Sequence, residues 1–146
     1  MAIDAFANVA GRFPRAKLII AGDGRERAAL ERQVADRGIA NAVEITGWVA
    51  PEQIPSLMNS ATIVAIPSRW REPFPLVAIQ AAQMARPIVC SRIGGLPEFA
   101  LATLLADPHT ATKMGNTARR RAHDEFGWEQ CVSAFDRLYR ELAQTQ

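Results

Sequence analysis

The sequence contains few of the residues that build metal centres and disulfides. Its 146 residues include two cysteines and two histidines. Cys90 and Cys131 show no metal-ligand spacing, so we expect both to be buried free thiols. His109 and His123 stand in polar helical surroundings, which predicts solvent-exposed side chains. We therefore expect neither a bound metal ion nor a cofactor.

Long apolar runs and an excess of one charge are also missing. No run approaches the roughly 18 apolar residues of a membrane span. The first 17 residues lack the basic flank and continuous apolar core of a signal peptide, so we expect a cytoplasmic protein. The formal net charge is +2, and basic residues are scattered or form short runs such as Arg119 to Arg121. Because nucleic-acid binders are usually more basic, we expect no nucleic-acid partner.

The residues that are abundant predict one α/β domain. With 49% hydrophobic residues, the chain can bury a core. Strand-like runs, "AKLIIAG", "NAVEITGWV", "TIVAIPS" and "PIVCS", alternate with helical stretches over residues 2–12, 25–38, 51–61 and about 75–85. This alternation predicts a Rossmann-like parallel sheet with helices on both faces. We expect a single domain over residues 1–146, with residues 107–146 as its helical tail.

Four turns follow the predicted strands, at 22–24, 47–49, 67–74 and 91–97. Ligands of such folds bind outside the carboxyl ends of the strands. Glycine lets backbone N–H groups approach an anion, and two of these turns lead into helix N-termini, which suits a phosphate. Ordinary turn chemistry explains any one of these glycines equally well. The "GDG" turn has no accompanying GxGxxG or Walker pattern.

The stretch "EPFPLVAIQ" is more specific. Glu72 lies in a loop just before a helix, and Pro75 suits the first helical position. The free N–H groups from Leu76 onward would then point toward whatever Glu72 faces. One hypothesis is that Glu72 accepts hydrogen bonds from sugar hydroxyls while the helix start holds the phosphate of the same ligand. The alternative is a surface ion pair between Glu72 and Arg69 or Arg71.

The ordered series "LIIAGDG", "VEITGWV", "IVAIPSRWREPFPLVAIQAAQMARPIV" and "GGLPE" resembles the C-terminal, donor-binding half of retaining GT-B glycosyltransferases of family 4. The resemblance runs from residue 1 to about 98 and resumes in the tail from "LLADPHT". It implies a single GT-B half-domain that binds a nucleotide diphosphate sugar, the donor of a hexosyltransferase. In that family one glutamate lies against the transferred sugar, and a second, eight positions later, holds the ribose. Here Glu72 takes the first, catalytic position and Gln80 the second.

The resemblance also implies the other donor contacts. The amides around Phe74 to Leu76 and the Gly94–Gly95 turn would meet the diphosphate, and the turn after the second strand would lie near the base. The complete predicted donor-binding set is Gly22, Gly24, Trp48, Val49, Phe74, Pro75, Leu76, Val77, Gln80, Gly94 and Gly95.

The chain departs from the family pattern at two kinds of residue. Gln80 replaces a charged acceptor by a neutral one, which we expect to weaken ribose binding by on the order of 1 kcal/mol per lost charge-assisted bond. Its amide oxygen can still accept a hydrogen bond. Pro73 and Pro75 remove two backbone donors at the diphosphate.

Larger parts of the pattern are missing. The family's donor half opens with a strand and a turn that carries an arginine and a lysine, and this chain starts at the following helix. About 20 residues after Glu98 and the acceptor-binding N-terminal domain are also lacking. We therefore expect an enzyme fragment that is inactive without that domain; the alternative is a non-catalytic α/β remnant with weak or no nucleotide binding. A nucleotide-sugar epimerase that shares the architecture fits "EPFPLVAIQ" and "GGLPE" less well.

The missing strand has a further consequence. Losing an outer strand would leave a sheet edge exposed, and exposed edges pair with other chains. We therefore expect a homo-oligomer as one outcome.

Overall fold

The structure is a computed structural model that describes residues 2–68, 76–90 and 104–143. Helices and strands alternate along the first 90 residues, and helices follow to the end of the described chain. The elements are α1 (Ala2–Ala10), β1 (Leu18–Ala21), α2 (Arg27–Asp36), β2 (Val43–Gly47), α3 (Ile54–Ser60), β3 (Val64–Ile66), α4 (Leu76–Gln83), β4 (Ile88–Cys90), α5 (Pro108–Phe126) and α6 (Trp128–Ala143). Short 3-10 helices precede β2 and α3, at Ala40–Ala42 and Pro51–Gln53.

The strands pair in parallel. β1 runs beside β2, with Leu18 opposite Val43, and β3 runs beside β4, with Ile66 opposite Cys90. Across the described residues these are two separate two-stranded sheets. The predicted α/β class with parallel strands between helices is confirmed, and all four predicted strands are present, although each is shorter than its apolar run.

Helix α1 contacts both halves of the molecule. Its Ala5 packs in the apolar cluster of Val89 on β4 and Leu104 and Ala111 near the start of the tail. Its Asp4 accepts a hydrogen bond of 2.8 Å from Gln33 Nε2 on α2 and pairs with Arg37. The nine-residue helix α1 therefore packs against β4 and also binds α2, so it connects the β3–β4 half to the β1–β2 half.

Helix α2 ends in a Schellman motif at a glycine. Gly38 has a φ of +66°. Its N–H donates to the carbonyl of Ala35 over 2.9 Å, and the Ile39 N–H donates to that of Val34 over 3.3 Å. A residue without a Cβ adopts this left-handed conformation at little cost, and the predicted end of the helical stretch at residue 38 is confirmed.

Helix α4 ends in the same motif at an alanine. Ala85 has a φ of +54°. Its N–H donates to the Ala82 carbonyl, and the Arg86 N–H donates to the Ala81 carbonyl, both over 2.9 Å. A Cβ placed on Gly115 of α5 would lie 1.9 Å from the Ala85 carbonyl oxygen. The two helices therefore meet backbone to backbone at this point.

Helix α5 begins at a side-chain cap. One carboxylate oxygen of Asp107 accepts hydrogen bonds from the N–H groups of His109 and Thr110, over 3.0 and 3.1 Å, and the other accepts from the Thr110 hydroxyl over 2.5 Å. These bonds satisfy donors that the first helical turn leaves free. The aspartate before Pro108 therefore sets where the tail helix starts.

Two predictions about polar side chains have different outcomes. His109 and His123 are exposed, as predicted. Cys90 is a free thiol, but the prediction that it is buried is wrong. It ends β4, where successive side chains face opposite ways, so Val89 points into the core and Cys90 points out. The Cys131 side chain lies outside the described part of the structure. No helix within that part is long and apolar enough to cross a membrane.

Candidate functional site

The turns after β1 and β2 contact each other. The Gly22 N–H donates to the Gly47 carbonyl over 2.9 Å. Gly22 has a φ of +134° and Gly47 a φ of +73°, which favour glycine at both positions. Within the first turn the Gly24 N–H donates to Asp23 Oδ1 over 2.8 Å. Two of the four turns predicted at the ligand edge of the sheet therefore form one surface.

Arg27, in the first turn of α2, holds this surface together. Its Nε donates to Glu31 over 2.9 Å, its Nη1 lies 3.4 Å from Asp23 Oδ2, and its Nη2 donates to the Ile45 carbonyl over 3.5 Å. A Cβ on Gly47 would lie 2.9 Å from Nη1. The guanidinium thus links α2 and the β1 turn to β2.

Two carboxylates, those of Asp23 and Glu31, surround the Arg27 guanidinium and affect its pKa. The hydrogen bond with Glu31, and then the nearby charges of Asp23 and Glu31, raise the pKa of Arg27 above its usual value. Its positive charge is consequently matched within the protein. Asp23 and Glu31 therefore compete with any ligand phosphate for this guanidinium.

A cavity of about 310 Å³ opens beside this surface. Residues 20–27, Leu30 and Ile45 line it. Its size falls at the lower end of small-molecule sites. Two arginines, Arg25 and Arg27, face two carboxylates, Asp23 and Glu26, so the lining carries little net charge.

Trp48 follows the Gly47 turn directly. Its side chain is 74% exposed, whereas Val49 is half-buried. Large aromatic residues normally bury most of their surface, so this indole is available for a flat apolar partner. The predicted residues Gly22, Gly24, Trp48 and Val49 therefore lie on one side of the β1–β2 pair.

The other predicted residues belong to the β3–β4 half. β3 and β4 end side by side at Ile66 and Cys90, so the chain leaves both strands at the same edge. α4 begins at Leu76, and Leu76, Val77 and Gln80 are all exposed at its start. The predicted residues Glu72, Phe74, Pro75, Gly94 and Gly95 lie outside the described residues.

Sequence reasoning missed the role of Arg27. A signal was present for Glu31, because Arg27 and Glu31 are four residues apart on α2, a spacing that brings side chains together on a helix. The bond from Arg27 to Ile45, 18 positions away, had no such signal.

No group of three or more His, Cys, Asp or Glu side chains that could hold a metal ion occurs in the described ranges. A second hollow, of about 400 Å³, lies along one face of α5 between His109 and Arg120. Because a single helix forms its lining, it offers no converging groups from different elements. The turn surface beside β1 and β2 is the better candidate.

The family model for group 1 glycosyl transferases matches residues 1–124. The alpha-D-kanosaminyltransferase of Streptomyces kanamyceticus is 31% identical over 160 residues, covering 96% of this chain and 41% of that protein. A glycogen synthase of Mycobacterium tuberculosis is 28% identical over 158 residues, covering 94% of this chain and 38% of that protein. The chain spans about two fifths of the length of these relatives.

Solved structures match over nearly the whole chain. Sucrose-phosphate synthase from Thermosynechococcus elongatus is 27% identical with a TM-score of 0.79, covering 99% of this chain and 43% of that one. Anabaena HepE, solved with UDP, is 23% identical with a TM-score of 0.80, covering 97% of this chain and 44% of that one. The family resemblance drawn from the motifs is confirmed, and the chain belongs to the group 1 glycosyl transferases.

Proposed function

We propose that this chain is the donor-binding half of a retaining glycosyltransferase, which transfers a hexose from a nucleotide diphosphate sugar. The observation that carries the proposal is the family match over residues 1–124, combined with two glycine turns that meet at the carboxyl ends of β1 and β2. Relatives support the donor class. One is named as a GDP-mannose-dependent mannosyltransferase, and the HepE structure contains UDP.

The proposal assigns the base to the β1–β2 side of the site. Trp48 presents a 74% exposed indole beside the Gly22–Gly47 contact. An aromatic face binds a nucleobase by stacking, and Val49 adds apolar contact. Gly22 and Gly24 leave room for the ligand to approach the backbone.

The sugar and phosphates are assigned to the β3–β4 side. The start of α4 offers the N–H groups of Leu76 and Val77 to the diphosphate, together with the Gly94–Gly95 turn. Gln80, one helical turn after Leu76, would hold the ribose. Glu72 would face the transferred sugar, with Phe74 and Pro75 between it and the helix.

We expect weak binding, because charge to neutralise the diphosphate is scarce among the described residues of the site. Arg25 and Arg27 lie on the β1–β2 side, which the proposal assigns to the base, and the described start of α4, Leu76–Gln83, contains no cation. The loss of about 20 residues after Glu98 remains part of the proposal. The alignment with the kanosaminyltransferase is 160 residues long, so it includes positions that a 146-residue chain lacks.

A second candidate is a non-catalytic α/β remnant. The balanced charge around the cavity and the glutamine at position 80 favour it. Both features reduce affinity for a nucleotide diphosphate and leave the fold intact.

Isothermal titration of the 146-residue chain with UDP, GDP and ADP tests the proposal. We expect one nucleotide to bind with a Kd in the range of about 0.1 to 1 mM, because each lost charge-assisted bond costs about 1.5–3 kcal/mol. Absence of binding by all three at several millimolar would support the remnant instead. A Kd below about 1 µM would contradict the argument about missing charge.

A further inference from the structure

Arg27 contacts every segment that forms the turn surface beside β1 and β2. Its Nε, Nη1 and Nη2 each reach a different segment: α2 through Glu31, the β1 turn through Asp23, and β2 through the Ile45 carbonyl. A guanidinium is planar and presents its N–H donors in a rigid fork, so contacts at all three nitrogens fix its direction. Three segments of the chain therefore meet at one side chain.

The same guanidinium lies against the backbone of Gly47. A Cβ on Gly47 would lie 2.9 Å from Arg27 Nη1, so a side chain at this position would push the guanidinium away. The Gly47 carbonyl also accepts the 2.9 Å hydrogen bond from the Gly22 N–H. Arg27 and Gly22 therefore contact the same turn, the first from α2 and the second from the end of β1.

The glycine N–H groups of this surface are bonded within the protein. The Gly22 N–H donates to Gly47, and the Gly24 N–H donates to Asp23 Oδ1 over 2.8 Å. A phosphate site needs backbone donors that point at the ligand. These turns consequently suit an uncharged part of a ligand better than a phosphate, and the group that they expose is the indole of Trp48.

We infer that Arg27 is a positioning residue: it keeps the Gly22 and Gly47 turns in contact and thereby sets the direction in which Trp48 points. The inference rests on the proposed function, in which the indole stacks on the base of a nucleotide diphosphate sugar. Trp48 follows Gly47 directly and is 74% exposed, so packing holds the indole only weakly and the turn backbone directs it. A group that is fixed before binding loses less conformational freedom when the ligand arrives.

Amide hydrogen exchange, followed by NMR on the full chain, tests whether Arg27 holds the turns together. The variant is Arg27→Met, which keeps an unbranched stem and removes the guanidinium. We expect the Gly22 N–H, which bonds to Gly47, to exchange about tenfold faster because the contact opens more often. The Gly38 N–H, just beyond the other end of α2, donates to the Ala35 carbonyl and should keep its exchange rate.

Titrations with UDP, GDP and ADP, followed by amide chemical shifts, test the effect on the ligand. We expect Arg27→Met to raise the Kd of the nucleotide that binds by about five- to tenfold, since the apparent Kd rises as the binding-competent fraction falls. Arg32→Met is the matched control, because Arg32 is an exposed arginine of the same helix and its loss changes the net charge equally. It should leave the Kd unchanged.

A third variant, Arg27→Lys, separates charge from geometry. Lysine keeps the positive charge, but its single ammonium group cannot reproduce the three contacts of the guanidinium fork. We expect Arg27→Lys to bind nucleotide as weakly as Arg27→Met. Wild-type affinity in Arg27→Lys would show that the charge itself acts on the ligand, and it would overturn the inference.

Three other results would also overturn it. An unchanged exchange rate at Gly22 in Arg27→Met would show that the turns stay in contact without the guanidinium. Equal acceleration at Gly22 and Gly38 would show a general loss of stability. Faster exchange at Gly22 with an unchanged Kd would show that the turn contact does not affect the ligand.

The two measurements also distinguish this inference from the proposed function. A wild-type chain that binds none of the three nucleotides would overturn the proposed function and, with it, the role of Arg27 in binding a base. The exchange rates involve no nucleotide, so they would still show whether Arg27 holds the two turns together.

Discussion

At the scale of single residues, two helix ends with the same hydrogen bonds carry different residues. Gly38 and Ala85 both terminate a helix in the left-handed region, with φ of +66° and +54°. Alanine has a Cβ that makes this conformation costly. We expect Ala85→Gly to raise the free energy of unfolding by about 0.5–1 kcal/mol, measured by urea denaturation. The control is the opposite substitution, Gly38→Ala, which should lower the free energy of unfolding by about 1 kcal/mol. If both substitutions changed this free energy in the same direction, the left-handed conformation would not explain the effect.

Gly115 is a second required glycine. A side chain at this position would clash with a neighbouring helix, whereas its backbone conformation would allow one. A Cβ on Gly115 would lie 1.9 Å from the Ala85 carbonyl oxygen and 2.7 Å from its carbon, so the α4–α5 contact must open. We expect Gly115→Ala to destabilise the fold by about 1–3 kcal/mol in urea denaturation. Gly11→Ala is the control, because its Cβ would meet nothing within 4 Å. A cost below about 0.5 kcal/mol for Gly115→Ala would show that the helices are not packed this closely.

Trp48 offers a direct test of base binding. If its exposed indole stacks on the base, Trp48→Ala should weaken nucleotide binding about tenfold in titration calorimetry, since stacking contributes about 1–3 kcal/mol per base. Trp128→Ala is a matched control, because that tryptophan is also exposed, at 80%, but lies on α6. Equal effects of both substitutions would remove Trp48 from the proposed site.

Glu72 separates sugar binding from nucleotide binding. We expect Glu72→Gln to weaken binding of a nucleotide sugar several-fold and to leave binding of the free nucleotide unchanged, because the proposed contact is to the sugar hydroxyls. Paired titrations with a nucleotide and its sugar conjugate measure the difference. Equal weakening of both ligands would favour the ion pair with Arg69 or Arg71.

At the scale of elements, the Asp107 cap makes the tail helix sensitive to acid. The Thr110 hydroxyl, and then the backbone N–H groups of Thr110 and His109, lower the pKa of Asp107 below its ordinary value of 3.8. A carboxylate with a lowered folded pKa stabilises the fold above pH 3.8, and this stabilisation is lost as pH falls through the folded pKa.

Asparagine can still cap the helix but carries no charge, so we expect Asp107→Asn to lower the melting temperature by at most about 2 °C at pH 7, with a difference that shrinks as pH falls below 3.8. Circular dichroism melts at several pH values measure this. Thr110→Val should reduce the same pH dependence, because it removes the hydroxyl donor. A difference between wild type and Asp107→Asn that stays constant with pH would contradict the assignment.

Element types were predictable because their signals are local. The end of a helical stretch at residue 38 and the four strand-like runs could be predicted from neighbouring residues alone. The boundaries were less accurate: β3 and β4 each have three residues, since only part of each apolar run finds a parallel partner. The exposure of Cys90 depended on which face of β4 packs against α1, and no local pattern specifies that.

At the scale of the whole molecule, helix α1 connects the β1–β2 half to the β3–β4 half. The homo-oligomer expected from an exposed sheet edge stays a prediction, and sedimentation velocity of the chain at rising concentration tests it.

The sequence by itself determined the family, the α/β class and the positions of the glycine turns, because motifs and alternating apolar runs depend on residues close together in the chain. Only the tertiary structure decided what those turns contact. The Gly22 to Gly47 bond, the reach of Arg27 to Ile45 and the clash that Gly115 avoids at Ala85 all join distant residues. Such contacts depend on how helices and strands pack, and packing is a property of the whole fold.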